Sequence, residues 1–238
     1  VREVTEVHID IDGTIARENK DSLLELCNEI FKLGIDKNQL KNVSLERFHW
    51  LPRVIEYRNQ IGDEVYNNQF KKMQYHPEHI AILHTIADAV EGVNQLHAVA
   101  DDLYYNTCRF TRHTRWNADI QRMTHFWLET KNFPNHEKTI FCEGYHGKLV
   151  SILSRLRENS DLRIILIDDN AEVQLQFFDQ LARKDQEIVA SRLVLVGFSF
   201  DEEELLPDMP IRLHSLEKWQ NVKQLIEKEF KNGGQKQR

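Results

Sequence analysis

Residues 163–168 read Arg-Ile-Ile-Leu-Ile-Asp, apolar at every position between the first residue and the terminal acid. A strand turns alternate side chains to opposite faces, so a continuous apolar run has no face to offer water. It belongs inside a sheet covered on both sides, which is the situation of a parallel sheet flanked by helices. The remainder of the chain has the matching rhythm. Short β-rich runs at 4–10, 103–107, 138–142, 163–168 and 192–198 are separated by helical patterns at 91–101, 118–131, 147–158, 171–184 and 215–231. Leu149, Ile152, Leu153 and Leu156 recur at three and four residues, the stripe of an amphipathic helix. This alternation predicts an α/β class, with βαβ units wound into a Rossmann-like, doubly wound parallel sheet.

One stretch departs from the rhythm. Residues 17–90 carry no convincing strand but several helical patterns, at 22–33, 63–74 and 77–89. So long a connection is poorly explained as a loop, and it predicts an inserted helical cap. The expected division is an α/β core at 1–16 and 91–231, a cap at 17–90, and a fraying tail at 232–238. Of the 238 residues, 41% are hydrophobic and 29% charged, which fits a soluble globular chain. No run reaches the roughly 18 apolar residues of a membrane span. Cys27, Cys108 and Cys142 are isolated, and no basic segment followed by an apolar one opens the chain, so a reducing, cytoplasmic setting is expected. A net charge of −7 argues against a binder held to nucleic acid mainly by electrostatics.

The chemistry concentrates at strand ends. His8-Ile9-Asp10-Ile11-Asp12-Gly13-Thr14 closes the first strand with two carboxylates followed by a glycine bend, at the sheet edge where open α/β folds bind ligands. A carboxylate such as Asp10 can attack phosphorus, and a second such as Asp12 can protonate the leaving oxygen and then deprotonate water. An anionic nucleophile repels an anionic phosphate, so this chemistry needs a hard divalent cation. The same string also suits a plain turn with two capping acids.

Asp10-Ile11-Asp12-Gly13-Thr14 resembles the first motif of the haloacid-dehalogenase-like (HAD) superfamily, in the form carried by its phosphatases. Three further segments fall in the family's order. Thr107, closing 103–107, matches the phosphate-binding hydroxyl, and Arg109 completes a Thr-x-Arg variant. Gly147-Lys148 matches the cation of the third motif, with His146 a weaker alternative. Asp168-Asp169 matches the metal-holding acids of the fourth. The resemblance implies a Mg²⁺-dependent phosphatase working through an aspartyl-phosphate. Asp10 is then the nucleophile and Asp12 the acid and base, while Thr107, Lys148 and Arg109 bind phosphate. Asp10, Asp12 (through its carbonyl), Asp169 and Asp168 serve the metal, with Asp169 favoured as the direct ligand.

Substrate choice is read less sharply. Arg109, Arg112, His113 and Arg115, beside Phe110 and Trp116, suit either a second anionic group or a solvated loop. The segment around Thr124, Trp127-Leu128 and 132–134 is similar to a turn found in nucleotidases and in polynucleotide-kinase phosphatase domains. Phe48-His49-Trp50, Arg53, Tyr57 and Arg58 read more readily as cap core than as substrate contacts. His76, His79, His84 and His97 have no metal-binding spacing. A small metabolite or nucleotide monoester is the expected partner. The alternatives are a polynucleotide 3′-phosphatase using Arg109, Arg112 and Arg115, and a non-catalytic HAD-like scaffold.

Overall fold

Val4–Asp10 forms β1, and six of its seven residues are buried, because this strand has a neighbour on each side and helices on both faces. The computed structural model describes residues 3–109, 114–199 and 210–231. After β1 come β2 (Ala16–Arg17) and six helices: α1 (Lys20–Ile30), α2 (Lys37–Leu40), α3 (Leu45–Phe48), α4 (Pro52–Ile61), α5 (Asp63–Gln74) and α6 (Pro77–Ala81). β3 (His84–Thr85), α7 (Ala89–His97), β4 (Asp102–Thr107), α8 (Thr114–Thr130), β5 (Thr139–Phe141) and α9 (Gly144–Glu158) follow. The chain then runs through β6 (Leu162–Asp168), α10 (Ala171–Asp179), α11 (Arg183–Arg192), β7 (Leu193–Phe198), β8 (Arg212–Leu216) and α12 (Val222–Ile226).

The main sheet has the order β5-β4-β1-β6-β7-β8, with every pairing parallel. All seven residues of β6 are buried, as the unbroken apolar run requires. One face is covered by α7, α8 and α12, the other by α9, α10 and α11, each with its own apolar cluster. Burying one Ile or Leu side chain contributes roughly 1.5–3 kcal/mol, so the strands from β1 to β7 are the thermodynamic centre of the molecule. Among the described residues, no helix is long and apolar enough to cross a membrane.

Helices α1–α6 lie between β2 and β3, which pair antiparallel as a short ribbon at the base of this insert. Asn19 caps α1 by accepting from Ser22 N at 3.3 Å, while Pro52 and Pro77 stand in the first turns of α4 and α6, where a missing N–H costs nothing. The insert has its own core, including Leu23, Leu24, Phe48, Val54, Tyr66 and Phe70. Phe48 is fully buried there, His49 shares a hydrogen bond with Tyr66 Oη (2.7 Å), and Tyr57 stacks on Phe31. Phe48, His49 and Tyr57 are therefore packing, as expected, whereas Trp50 is 67% exposed, with the Arg58 guanidinium over its ring.

Several boundaries differ from expectation. The pattern at 77–89 stops being helical at Ala81 and supplies β3 before α7 begins. The pattern at 171–184 is two helices, broken without Gly or Pro where Leu181 turns in to pack on the α9–α11 cluster. The segment at 215–231 opens as the end of β8, because pairing with β7 overrides its helical periodicity; only Val222–Ile226 is α-helical, followed by a wider π-turn at Glu227–Lys231. The tail at 232–238 lies outside the described residues.

Candidate active site

The parallel register brings the predicted residues to one edge. Asp10 pairs with Asn106 and Ile9 with Ile167, so β1, β4 and β6 end together and deliver Asp10, Thr107 and Asp168 side by side. Asp10 is 3% exposed and accepts from Lys148 Nζ through Oδ1 at 2.6 Å. The same ammonium donates to Asp168 Oδ2 at 2.9 Å. Lys148 is itself 1% exposed, and it projects from the second turn of α9 rather than its start, since α9 begins at Gly144. His146 is exposed on the same helix and packs on Phe177.

Asp168 is fully engaged. Its Oδ1 accepts from Asn170 N (2.8 Å), and its Oδ2 also accepts from Gln174 Nε2 (3.2 Å). Asp169 is held differently: its backbone N donates to Thr14 Oγ1 (3.1 Å) and its Oδ1 accepts from Asn170 Nδ2 (2.7 Å). Gly13, at φ +84°, makes room for it, because a Cβ at that position would sit 2.0 Å from Asp169 Oδ2. Gly13 is thus required twice, for its backbone angle and for the carboxylate beside it.

Asp10, Asp168 and Asp169 each offer an oxygen within 4.8 Å of the others. Three carboxylates face one ammonium, and the surplus shows in the acid equilibria. Burial, with Asp168 and Asp12 adding to it against Lys148, pushes Asp10 well above the ordinary carboxylate range. Burial followed by the Asp168 charge also raises Asp169. Burial works against the Lys148 ammonium, but Asp10 and Asp168 outweigh it and hold the lysine charged. Buried like charges of this kind call for a cation, and an all-oxygen set suits Mg²⁺.

Asp12 stands apart from that cluster. Its Oδ2 accepts from Arg109 Nε (2.8 Å) and its Oδ1 from Arg109 Nη2 (2.7 Å). Arg109 also donates through Nη1 to Thr124 Oγ1 (3.2 Å), and its backbone N donates to Thr107 Oγ1 (3.3 Å). Its guanidinium is therefore engaged with Asp12 and Thr124, where the motif resemblance implied a phosphate contact. Thr107 is fully buried at the end of β4. The cluster at Arg112 and His113 and the side chain of Arg115 lie outside the described residues.

A cavity of about 430 Å³ opens beside Asp12, between the core and the insert, lined among others by Gly13, Arg17, Glu18, Tyr75 and His79. This size falls within the range of small-molecule sites. Burial, then the Arg109 charge, pushes His79 down to about 4, so its imidazole is neutral near pH 7. Burial pushes the Tyr75 phenol up to about 12. The sequence marks His79 only as a helix histidine without metal-binding spacing, and Tyr75, between the helical patterns at 63–74 and 77–89, is not singled out there. Thr14 and Asn170 were also missed as supports of Asp169, although Thr14 closes the first motif and Asn170 directly follows Asp168-Asp169.

No family model matches the chain, and no curated protein matches it in sequence. Solved structures match it in shape. A haloacid-dehalogenase-like family hydrolase from Xanthomonas campestris superposes with a TM-score of 0.51 at 14% identity, covering 99% of this chain and 100% of that one. A HAD-superfamily hydrolase of subfamily IA, variant 1, from Geobacter sulfurreducens PCA gives 0.51 at 14% identity, over 94% of this chain and 96% of that one. A protein from Clostridium difficile, provisionally named a phosphatase, gives 0.53 at 10% identity, over 95% and 100%. Identities this low speak for the fold. The chain therefore has the haloacid-dehalogenase-like fold, with the carboxylates of its motifs at the shared edge of β1 and β6.

Proposed function

We propose that this protein is a Mg²⁺-dependent phosphomonoester hydrolase acting through an aspartyl-phosphate on Asp10. The observation that carries the reading is the surplus of buried carboxylates, Asp10, Asp168 and Asp169, around the single ammonium of Lys148. A purely structural site would be expected to balance its charges, because an uncompensated buried carboxylate costs several kcal/mol.

In this reading a carboxylate oxygen of Asp10 attacks phosphorus, the bond to the leaving oxygen breaks, and Asp12 gives that oxygen a proton. Water then attacks the aspartyl-phosphate, passes its proton to Asp12, and phosphate departs with the Asp10 carboxylate restored. Lys148 orients Asp10 and balances charge on the transferring group, and the Thr107 hydroxyl is placed to hold a phosphoryl oxygen. A magnesium ion held by Asp10, Asp169 and the Asp12 carbonyl would neutralise the approach of nucleophile to phosphate. Asp169 suits direct ligation better than Asp168, whose oxygens are taken by Lys148, Asn170 and Gln174. The cavity beside Asp12 would take the leaving group, which favours a small metabolite or nucleotide. Release of inorganic phosphate from a panel of sugar phosphates, nucleotides and 3′-phosphorylated oligonucleotides, with Mg²⁺ and with EDTA, tests the reading. Metal-dependent turnover lost in Asp10→Asn supports it; a folded protein inactive on the whole panel favours the non-catalytic scaffold.

A further inference from the structure

We infer that Arg109 is a positioning residue for Asp12, and not a ligand of the phosphate; this rests on the phosphohydrolase reading above. Asp12 lies just past β1, in a turn with Gly13 at φ +84°, and its side chain is 45% exposed. A short carboxylate on such a turn has rotamer freedom that proton transfer cannot tolerate. The register of β1 and β4 supplies the restraint. Asp10 opposes Asn106 in the last pair of that register, and Arg109, three residues past Asn106, reaches Asp12, two residues past Asp10.

The pair is made as a clamp. Nε and Nη2 of Arg109 reach the two oxygens of Asp12 at 2.8 and 2.7 Å, the two-pronged geometry that fixes the plane of a carboxylate as well as its place. The guanidinium side chain is 0% exposed and is itself pinned by Thr124, which is fully buried on α8. Asp12 lines the cavity and Arg109 is not among the cavity's lining residues, so the clamp grips one edge of the carboxylate while the other faces the space for a leaving group. Each carboxylate oxygen has two lone-pair sites, and the clamp leaves one on each for a proton.

The test is steady-state kinetics of the full chain on a substrate that the panel identifies, with inorganic phosphate as a competitive probe of the phosphate site. In Arg109→Met, kcat is expected to fall about a hundredfold, the scale of a misplaced acid–base group, with KM and the phosphate inhibition constant changed less than about threefold. Free guanidinium ion should restore part of the kcat of Arg109→Ala, and Arg109→Lys should retain more than Arg109→Met. Thr124→Val, which leaves the clamp but loosens its anchor, should lose about fivefold, and serves as the readout if the Arg109 variants fail to fold. A phosphate inhibition constant that rises in step with the loss of kcat would overturn the inference in favour of direct phosphate contact. A folded Arg109 variant with unchanged kcat, or a Thr124→Val variant with unchanged kcat, would also overturn it, as would loss of activity with no guanidinium rescue. A wild-type protein inactive on every phosphomonoester would instead bring down the phosphohydrolase reading, and this inference with it.

Discussion

The two ends of one face of β1 make an instructive contrast. Glu6, His8 and Asp10 alternate along the strand and point to the same side, toward α9. At the lower end, Arg155 grips Glu6 through Nε (2.9 Å) and Nη2 (2.6 Å), and His8 adds a contact at 3.1 Å. Burial opposes ionisation of Glu6, but His8 and Arg155 prevail and hold it below the ordinary carboxylate range. At the upper end, Lys148 stands two helical turns before Arg155 on the same helix and meets Asp10, yet Asp10 is shifted upward. Both carboxylates are buried beside a cation from one helix. The difference is that Glu6 has a cation to itself, whereas Asp10 shares one with Asp168. A closed ion pair behaves as structure; a set of charges left unbalanced behaves as a place for something to bind.

Asp10→Asn sharpens the contrast most. Turnover should fall by about a thousandfold or more, while the melting temperature in EDTA should rise, because a buried surplus charge is removed. Loss of stability without loss of activity would place the reaction elsewhere.

Metal comes next in size. At about one hundred times its dissociation constant, Mg²⁺ should stabilise the wild-type protein by about 2.7 kcal/mol, read as a shift in thermal unfolding. That shift should vanish in Asp169→Asn and persist in Glu6→Gln. An equal Mg²⁺ response in both variants would erase the distinction between the two ends.

Glu6→Gln should cost about 2 kcal/mol of stability, at the low side for a broken buried pair because the Arg155 side chain is 30% exposed. Its kcat should stay within about twofold of wild type. A large kinetic defect with an unchanged melting temperature would make the lower end part of the active site.

The smallest effect is in pH. The depressed pKa of Glu6 contributes stability that is present above its unfolded value, near 4.5, and is lost as pH falls through the lower folded value. Asp10 has the opposite sign. Its raised folded pKa makes ionisation destabilising at neutral pH in the absence of metal, and this cost is relieved as pH falls through that value toward the ordinary 3.8. Denaturant midpoints in EDTA should therefore rise on mild acidification in wild type and stay flatter in Asp10→Asn. Identical profiles would contradict the upward shift at Asp10.

Much of this was legible in the sequence. The apolar run before Asp168 announced a central parallel strand, and Asp10, Asp12 and Asp168-Asp169 could be placed at strand ends because strand periodicity and the glycine after Asp12 are local signals. Glu6 and His8 carried a signal that went unread: polar residues at every second position of a buried strand ask for partners on one face. The break between α10 and α11 was hidden, since no Gly or Pro marks it and the turn is set by where Leu181 packs. β8 was masked because Leu216, Trp219 and Val222 repeat at helical spacing, and only pairing with β7 makes Arg212–Leu216 extended.

The sequence by itself determined which residues alternate, which helices are amphipathic, and that pairs of carboxylates end two buried strands. Those properties depend on neighbours within a few residues. Tertiary structure alone decided who partners whom: Lys148 reaches Asp10 across 138 residues, and Arg109 reaches Asp12 across 97. Such contacts depend on strand order and register, which place distant segments a few ångströms apart. The same geometry sets the Arg109 guanidinium against Asp12, where the resemblance implied a phosphate ligand, because a guanidinium pairs with the carboxylate that the fold places beside it.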